Sequence, residues 1–270
     1  MKLCTWGLTA CIAIPACAQE VPVAPAIDAP RQLPKLLLDD TKAVLSSPSD
    51  WKTSEWVMVA AGVALIGTSL ALDGKVEDAF ARNRRPSFDT FARNVETFGV
   101  AGGGVLVLGL YLGGHWSDNH ELRSTGADAA MAIIVSAGLQ QSVKFIAGRS
   151  RPEEDAGVHH FQLFGRGDSF PSGHATQAFA IATVISMHSE SYWVSAGAYS
   201  LATLVGVCRL ERGKHYLSDL VTGALLGTTV ARIVVHQNAA ARSSAKKPVQ
   251  IAFAPHLGLR YQGIDLAIRF

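Results

Sequence analysis

Between residues 56 and 235 the chain alternates long apolar runs with short breaks that are charged, polar or rich in Gly and Pro. The runs are Trp56–Leu72, Phe98–Gly114, Ala127–Ala147, His174–His188, Trp193–Val207 and Leu220–Val235. Each is about 15–21 residues, at or slightly below the ~20 residues an α-helix needs to cross the hydrocarbon core. They are too long and too evenly apolar for half-buried strands and read as helices. Ahead of them, Pro34–Leu45 reads as a short amphipathic helix. Past Val235 the chain turns polar and basic through Ser244, Lys246 and Lys247, and the period falls to two. There Ile264, Leu266, Ile268 and Phe270 alternate with Asp265, Ala267 and Arg269, and Val249–Phe253 is a candidate partner strand. The pattern predicts an all-α bundle of about six helices, membrane-spanning, with a short C-terminal β-hairpin-like tail. A water-soluble bundle is the alternative. An outer-membrane strand is a second reading of the tail, but two strands cannot close a barrel.

Before the first helix, MKLCTWGLTACIAIPACAQE places Lys2, an apolar run and Ala16-Cys17-Ala18 ahead of Gln19, the layout of a secretory leader with its cleavage site. An uncleaved anchor and lipoprotein processing at Cys11 or Cys17 are the competing readings. Cys4, Cys11 and Cys17 lie in this leader, so cleavage leaves Cys208 alone and excludes an intrachain disulfide. VPVAPAIDAPRQLP follows, with four prolines among small residues, and reads as a linker. The expected organisation is a signal peptide at 1–18, a Pro-rich linker at 19–50, one helical catalytic domain at 51–236, and a basic linker with the strand-like tail at 237–270.

Composition narrows the function. Charged residues are only 17% of the 270, and a net charge of +2 without a basic, aromatic-interleaved stripe is not a nucleic-acid footprint. Asp128, Gln140 and Gln141 interrupt the third run, and polar groups within a span face a bundle interior or a functional cavity. Loop charges and the leader disagree on orientation. A cleaved leader and three spans carry residue 144 inside, with Lys75, Arg82, Arg84, Arg85 and Arg93, whereas placing Arg31, Lys35, Lys42, Lys52, Arg123 and the basic tail inside carries it outside. A re-entrant or non-spanning segment reconciles them. The expected location is the inner membrane of a bacterial-type envelope with a periplasm-facing site, the alternative being a soluble periplasmic protein.

The chemistry is concentrated in KFIAGRSRP (144–152), FPSGH (170–174) and CRLERGKHYLSD (208–219). Lys144 ends the third helix and Arg151 follows in a loop that Pro152 keeps from resuming helix. Lysine supplies a mobile point charge and arginine a planar fork for two phosphoryl oxygens. Ser172 and Gly173 open an apolar helix, where free N–H groups form an anion site, and His174 in that first turn can donate a proton. Arg209 precedes His215, and Asp219 stands four residues after it, placed to orient the imidazole as a nucleophile. Each piece also has a bland reading, as interfacial anchors, a helix start or a surface ion pair.

Taken together, Lys144-x6-Arg151-Pro152, Pro171-Ser172-Gly173-His174 and Arg209-x5-His215-x3-Asp219 resemble, in order, the three signature motifs of the type 2 phosphatidic acid phosphatase family, which shares a superfamily with vanadium haloperoxidases. The resemblance covers roughly residues 55–236. It implies a helical, six-span fold in which Lys144, Arg151, Ser172, Gly173 and Arg209 hold phosphate, His215 is the nucleophile, Asp219 its partner and His174 the acid. It also implies metal-independent hydrolysis of a phosphomonoester or diphosphate through a phosphohistidine, with no cofactor, a membrane lipid phosphate as substrate, and no nucleic acid or inferable protein partner. One departure is Cys208, where the family usually has serine; it is expected to adjust the site without removing a step. The cluster Glu153, Glu154, Asp155, His159 and His160 reads as a solvated or substrate-facing loop, with metal binding as its alternative. A vanadate-dependent haloperoxidase and a non-catalytic binder of lipid phosphates are the rival functions.

Overall fold

The computed structural model describes residues 33–84, 86–99, 101–244, 250–257 and 262–269. The leader at 1–18 and the linker up to residue 32 lie outside these, as do Val249 and Phe270. Eight α-helices occur among the described residues: α1 (Leu33–Ser46), α2 (Thr53–Asn83), α3 (Pro86–Gly99), α4 (Ala101–Trp116), α5 (His120–Ala147), α6 (Gly173–His188), α7 (Tyr192–Glu211) and α8 (Leu217–Ser244). Apart from the short α1, the expected six helices are therefore seven. The added one is α3, whose polar composition, PSFDTFARNVETFG, hid it from a search for apolar runs. Its signal was periodicity, since Phe88, Phe91, Ala92 and Val95 recur at helical spacing.

The other helices overrun their apolar runs. α2 continues past Leu72 through DGKVEDAFARN, residues that mostly favour helix, until the chain nears Pro86. α5 starts at His120 because the Asn119 side chain caps it, accepting from Leu122 N–H at 3.0 Å. α2, α5, α7 and α8 are long and apolar enough to cross a membrane, and α3 with α4 meets the same test as one span bent by 41°. At 16 residues α6 is about 24 Å long and falls short of the ~30 Å hydrocarbon core.

Two units are distinguished, Ala26–Ser243 and a unit containing Ser244–Phe270. In the latter, β1 (Gln250–Leu257) and β2 (Gln262–Arg269) pair antiparallel, with Ile251 opposite Ile268 and Phe253 opposite Leu266. In the helical unit one core gathers Val107 of α4, Met131 and Val135 of α5, Ile181 and Val184 of α6, and Val230 and Val234 of α8, with Leu37 and Val44 of α1 against it. A second patch joins Ala92 and Val95 of α3 to Val205 and Cys208 of α7. A third sets Ala175, Leu210 and Leu220 against Val76 and Phe80 of α2. α8 approaches the start of α6 so closely that a Cβ at Gly227 would stand 2.1 Å from the Thr176 carbonyl and one at Gly223 2.7 Å from that of Ser172. These glycines let the two helices bring their polar ends together.

Candidate active site

Four segments meet at one end of the helical unit: the end of α5 with its loop, residues 168–174 leading into α6, the end of α7, and the turn into α8. α5 stops because Gly148 adopts φ +53°, and its N–H closes on the Lys144 carbonyl at 2.9 Å. A Cβ at Gly148 would lie 1.9 Å from the Gln162 carbonyl oxygen, so the reversal needs glycine. The reversal sends Arg149 into the interior, where it is fully buried. Its Nη1 donates to Asp219 Oδ1 at 2.6 Å and Ser218 Oγ at 2.7 Å, and its Nη2 to Asp73 Oδ2 at 2.7 Å and the Val158 carbonyl at 2.5 Å. The rings of Tyr216 and Phe161 lie 4.1 and 4.9 Å from its guanidinium carbon.

Asp219 is the hub of the turn. Its Oδ2 accepts from Ser169 Oγ at 2.6 Å and from the Tyr216 N–H at 2.8 Å. His215, 3% exposed, sets Nδ1 2.9 Å from the Ser169 carbonyl oxygen and 3.5 Å from Asp219 Oδ2. A carbonyl oxygen can only accept, so this contact makes Nδ1 the protonated nitrogen and leaves the lone pair on Nε2. The sequence pointed to Asp219 as the group that orients His215. In the structure the nearer acceptor is the Ser169 carbonyl, and Asp219 also holds Ser169 in place through its hydroxyl. Burial lowers the affinity of His215 for a proton, and the Asp219 carboxylate opposes that without overcoming it.

The remaining expected residues surround this turn. Ser172 is buried and caps α6, its Oγ accepting from Ala175 N–H at 3.5 Å, while its own N–H donates to the Asp219 carbonyl at 3.0 Å. Gly173 packs beside Gln140, whose Nε2 reaches the Pro171 carbonyl at 3.4 Å. His174 follows in the first turn of α6. Burial depresses its pKa to about 3, helped by the charges of Arg209, His215, Lys144 and Arg151, so these groups share one electrostatic neighbourhood. Arg209 Nη1 is held by Glu96 Oε1 at 3.0 Å, and Glu96 also pairs with Arg212 Nη1. Arg151 makes a two-pronged contact with Asp168, Nε to Oδ1 at 2.7 Å and Nη2 to Oδ2 at 2.8 Å. Burial opposes ionisation of Asp168, yet the bonds and charge of Arg151, with Lys144 and His215, leave its pKa below the usual carboxylate value.

Thus the structure gathers Lys144, Arg151, Ser172, Gly173, His174, Arg209, His215 and Asp219 in one place. Asp73, Glu96, Arg149, Asp168 and Ser169 hold them there and were missed. Arg149 lay in plain view within KFIAGRSRP, but the Lys144-x6-Arg151-Pro152 spacing selects Arg151, and nothing local marks Arg149 as the partner of two remote carboxylates. Glu96 was hidden with α3. Cys208 turns into the apolar patch of Ala92, Val95 and Val205, so it faces packing rather than the polar site. Glu153 pairs with Lys214, and among the described residues no group of three or more His, Cys, Asp or Glu is placed to hold a metal ion.

Apart from Asp73 and Glu96, the residues that make this geometry fall within 125–243, which match the profile of the PAP2 superfamily. Over this segment the chain is similar to the PAP2 superfamily. It is 31% identical over 106 residues to a lipid A 1-phosphatase of Porphyromonas gingivalis, covering 38% of this chain and 22% of that protein. It is 32% identical over 107 residues to a lipid A 1-phosphatase of Rhizobium johnstonii, covering 38% and 43%. The chain thus spans less than half the length of these relatives. Among solved structures, Aquifex aeolicus LpxE superposes with a TM-score of 0.50 at 26% identity, covering 61% of this chain and 95% of that one. A transmembrane PAP2-type phosphatidylglycerolphosphate phosphatase from Bacillus subtilis superposes with a TM-score of 0.54 at 19% identity, covering 67% and 96%, a likeness of fold. With its apolar helices and its PAP2 relatives, the chain is a membrane protein.

Proposed function

We propose that this protein is a metal-independent phosphatase that releases phosphate from a phosphorylated membrane lipid through a phosphohistidine. The observation that carries this reading is the pairing of an Nδ1-protonated, buried His215 with a second histidine, His174, among Lys144, Arg151 and Arg209. In the first step the Nε2 lone pair of His215 attacks phosphorus, the P–O ester bond breaks, and His174 gives its proton to the departing oxygen. In the second, His174 takes a proton from water, the water oxygen attacks phosphorus, and the P–N bond breaks to release inorganic phosphate. The three cations and the N–H groups of the α6 N-terminus stabilise charge on the equatorial oxygens throughout.

Free His174 is neutral at pH 7, so its proton must arrive with the substrate. A phosphate dianion beside Arg209 and Lys144 offsets the charges that suppress protonation, and this makes His174 an acid only in the occupied site. The names of the relatives make the phosphate of lipid A the first candidate, and phosphatidic acid, phosphatidylglycerol phosphate and a polyprenyl diphosphate complete the class. We further propose an inner-membrane protein with a cleaved leader and a periplasm-facing site.

Phosphate release by the purified protein in detergent, against that panel and a soluble ester, tests the reading. Turnover of at least one lipid phosphate, unchanged by EDTA and abolished in His215→Ala, is expected. No release from any member, activity restored to a chelated enzyme only by a divalent ion, or halide oxidation with vanadate and peroxide in place of hydrolysis would each overturn it.

A further inference from the structure

Between Arg151 and Asp168 the chain makes a tight turn whose composition is unusual. Gly165 N–H donates to the Gln162 carbonyl at 2.7 Å, so Leu163 and Phe164 are the two corner residues. Corners facing water are built from Gly, Asn, Asp or Pro. Here Leu163 is 71% exposed and Phe164 is 64% exposed, and Phe164 holds φ +58°, where an aromatic residue is strained. Apolar exposure and backbone strain on the same turn are both costs unless something apolar covers it.

The surroundings identify what covers it. Phe164 N–H donates to the Ile146 carbonyl and Gln162 N–H to the Gly148 carbonyl, both at 3.2 Å, which pins the turn to the end of α5. α5 is one of the helices fit to cross a membrane. Its last residues Phe145 and Ile146 are themselves exposed, and the Phe145 and Phe164 rings lie 5.6 Å apart. Apolar surface therefore runs without a break from a membrane span onto the turn. Arg166, exposed just beyond the corner, adds a cation where anionic headgroups would lie. The other end of the segment carries Asp168, Ser169 and the start of α6, so the turn and the phosphate site are fixed to one another.

We propose that the Leu163–Phe164 turn is an interfacial anchor that inserts into the lipid leaflet presenting the phosphate, setting the site at headgroup level and favouring bilayer-held esters over the same group free in water. This rests on the phosphatase reading above and adds to it how the substrate is presented. Leu163→Ser/Phe164→Gly removes the apolar corner and relieves the strain at 164, so the fold should survive. With full-length protein in vesicles of phosphatidylcholine and phosphatidylglycerol, KM for a phosphorylated lipid should rise by about tenfold or more. kcat/KM for para-nitrophenyl phosphate should stay within about twofold. Equal losses on both substrates, or no loss on either, would overturn the anchor.

A second measurement does not depend on turnover. A nitroxide on Leu163→Cys, corrected by the unsubstituted protein labelled in parallel, should collide with dissolved oxygen far more than with an aqueous nickel complex. Nickel-dominated collisions would place the turn in water, and shielding from both would place it against protein, such as a second copy. Either result overturns the proposal. An enzyme inactive on every ester but with an oxygen-exposed label would sink the phosphatase reading and leave the anchor standing.

Discussion

Removing the Arg149 side chain should do more damage than removing any exposed cation of the site. Arg149 bridges two carboxylates, Asp73 of α2 and Asp219 of α8, and all three side chains are fully excluded from solvent. Arg149→Met leaves both carboxylates buried without a counter-cation. Each keeps partial satisfaction, Asp73 from the Ser218 N–H at 2.8 Å and Asp219 from Ser169 Oγ at 2.6 Å. Loss of one member of a buried ion pair typically costs about 3–5 kcal/mol. Asp73→Asn is milder, because Arg149 and Asp219 remain as a neutral pair.

The decisive quantity is therefore the coupling between them. In the Arg149→Met background, neutralising Asp73 removes a buried uncompensated charge, so the double variant should be less damaged than the sum of the singles by about 1–3 kcal/mol. Reversible unfolding in mixed micelles measures this, and kcat/KM for phosphate release supplies a second cycle. The pH profile separates positioning from mere stability. With Arg149 gone, Asp219 stabilises the His215 imidazolium more strongly, so the acid limb of kcat/KM should move to higher pH. Additivity within about 0.5 kcal/mol together with an unmoved limb would refute the network.

Asp168→Asn frees the Arg151 fork from an exposed partner, and inhibition by inorganic phosphate should strengthen by up to a few-fold, about 0.2–1 kcal/mol. The pKa of His215 lies below its ordinary 6.5, so turnover should persist below pH 6.5 and fall only as pH drops through the depressed value; a limb at or above 6.5 contradicts the burial argument. Phosphate binding should be accompanied by proton uptake at His174, read by calorimetry in buffers of different ionisation enthalpy. At the other end of the bundle, buried Asp40 of α1 is raised to about 7 by burial and by the neighbouring Asp128. Because the folded state holds that proton longer than the unfolded one, its contribution is intact below about pH 3.8 and is lost as pH rises to about 7. Asp40→Asn should remove that slope and stabilise the protein at pH 8 by on the order of 1–4 kcal/mol, measured by unfolding at several pH values.

What the sequence made legible was whatever carried its own signal. Long apolar runs announced α2, α4, α5, α6, α7 and α8, and the spacing from Lys144 to Asp219 announced the cationic and imidazole groups that the fold brings together. The supporting shell was not legible, because its partners are remote in sequence: Asp73 and Arg149 are 76 residues apart, and Glu96 and Arg212 are 116 apart. A lone aspartate after Ala71-Leu72 reads as the end of a span, and only the folded chain turns it into a ligand for a buried guanidinium. Ser169 was beyond reach for a different reason. Its contribution to His215 is a backbone carbonyl, which every residue has and no motif can mark.

The carboxylates that hold the cations differ in one respect that bears on the proposed turnover, their access to water. Asp168, facing Arg151, is 53% exposed in its side chain, Glu96, facing Arg209, is 8% exposed, and Asp219 is fully buried. A dianion entering from solvent can displace the exposed carboxylate at little cost, since an exposed pair contributes at most about 1 kcal/mol. It cannot displace the buried ones, whose loss would strand a charge in the interior. Under the proposed chemistry Arg151 would therefore be the exchangeable cation, paired with Asp168 until phosphate binds, while Arg209 and the His215–Asp219 turn would keep their positions from one turnover to the next. That asymmetry follows from where each partner sits: Asp168 on a loop, Glu96 on α3 against α7, and Asp219 in the first turn of α8.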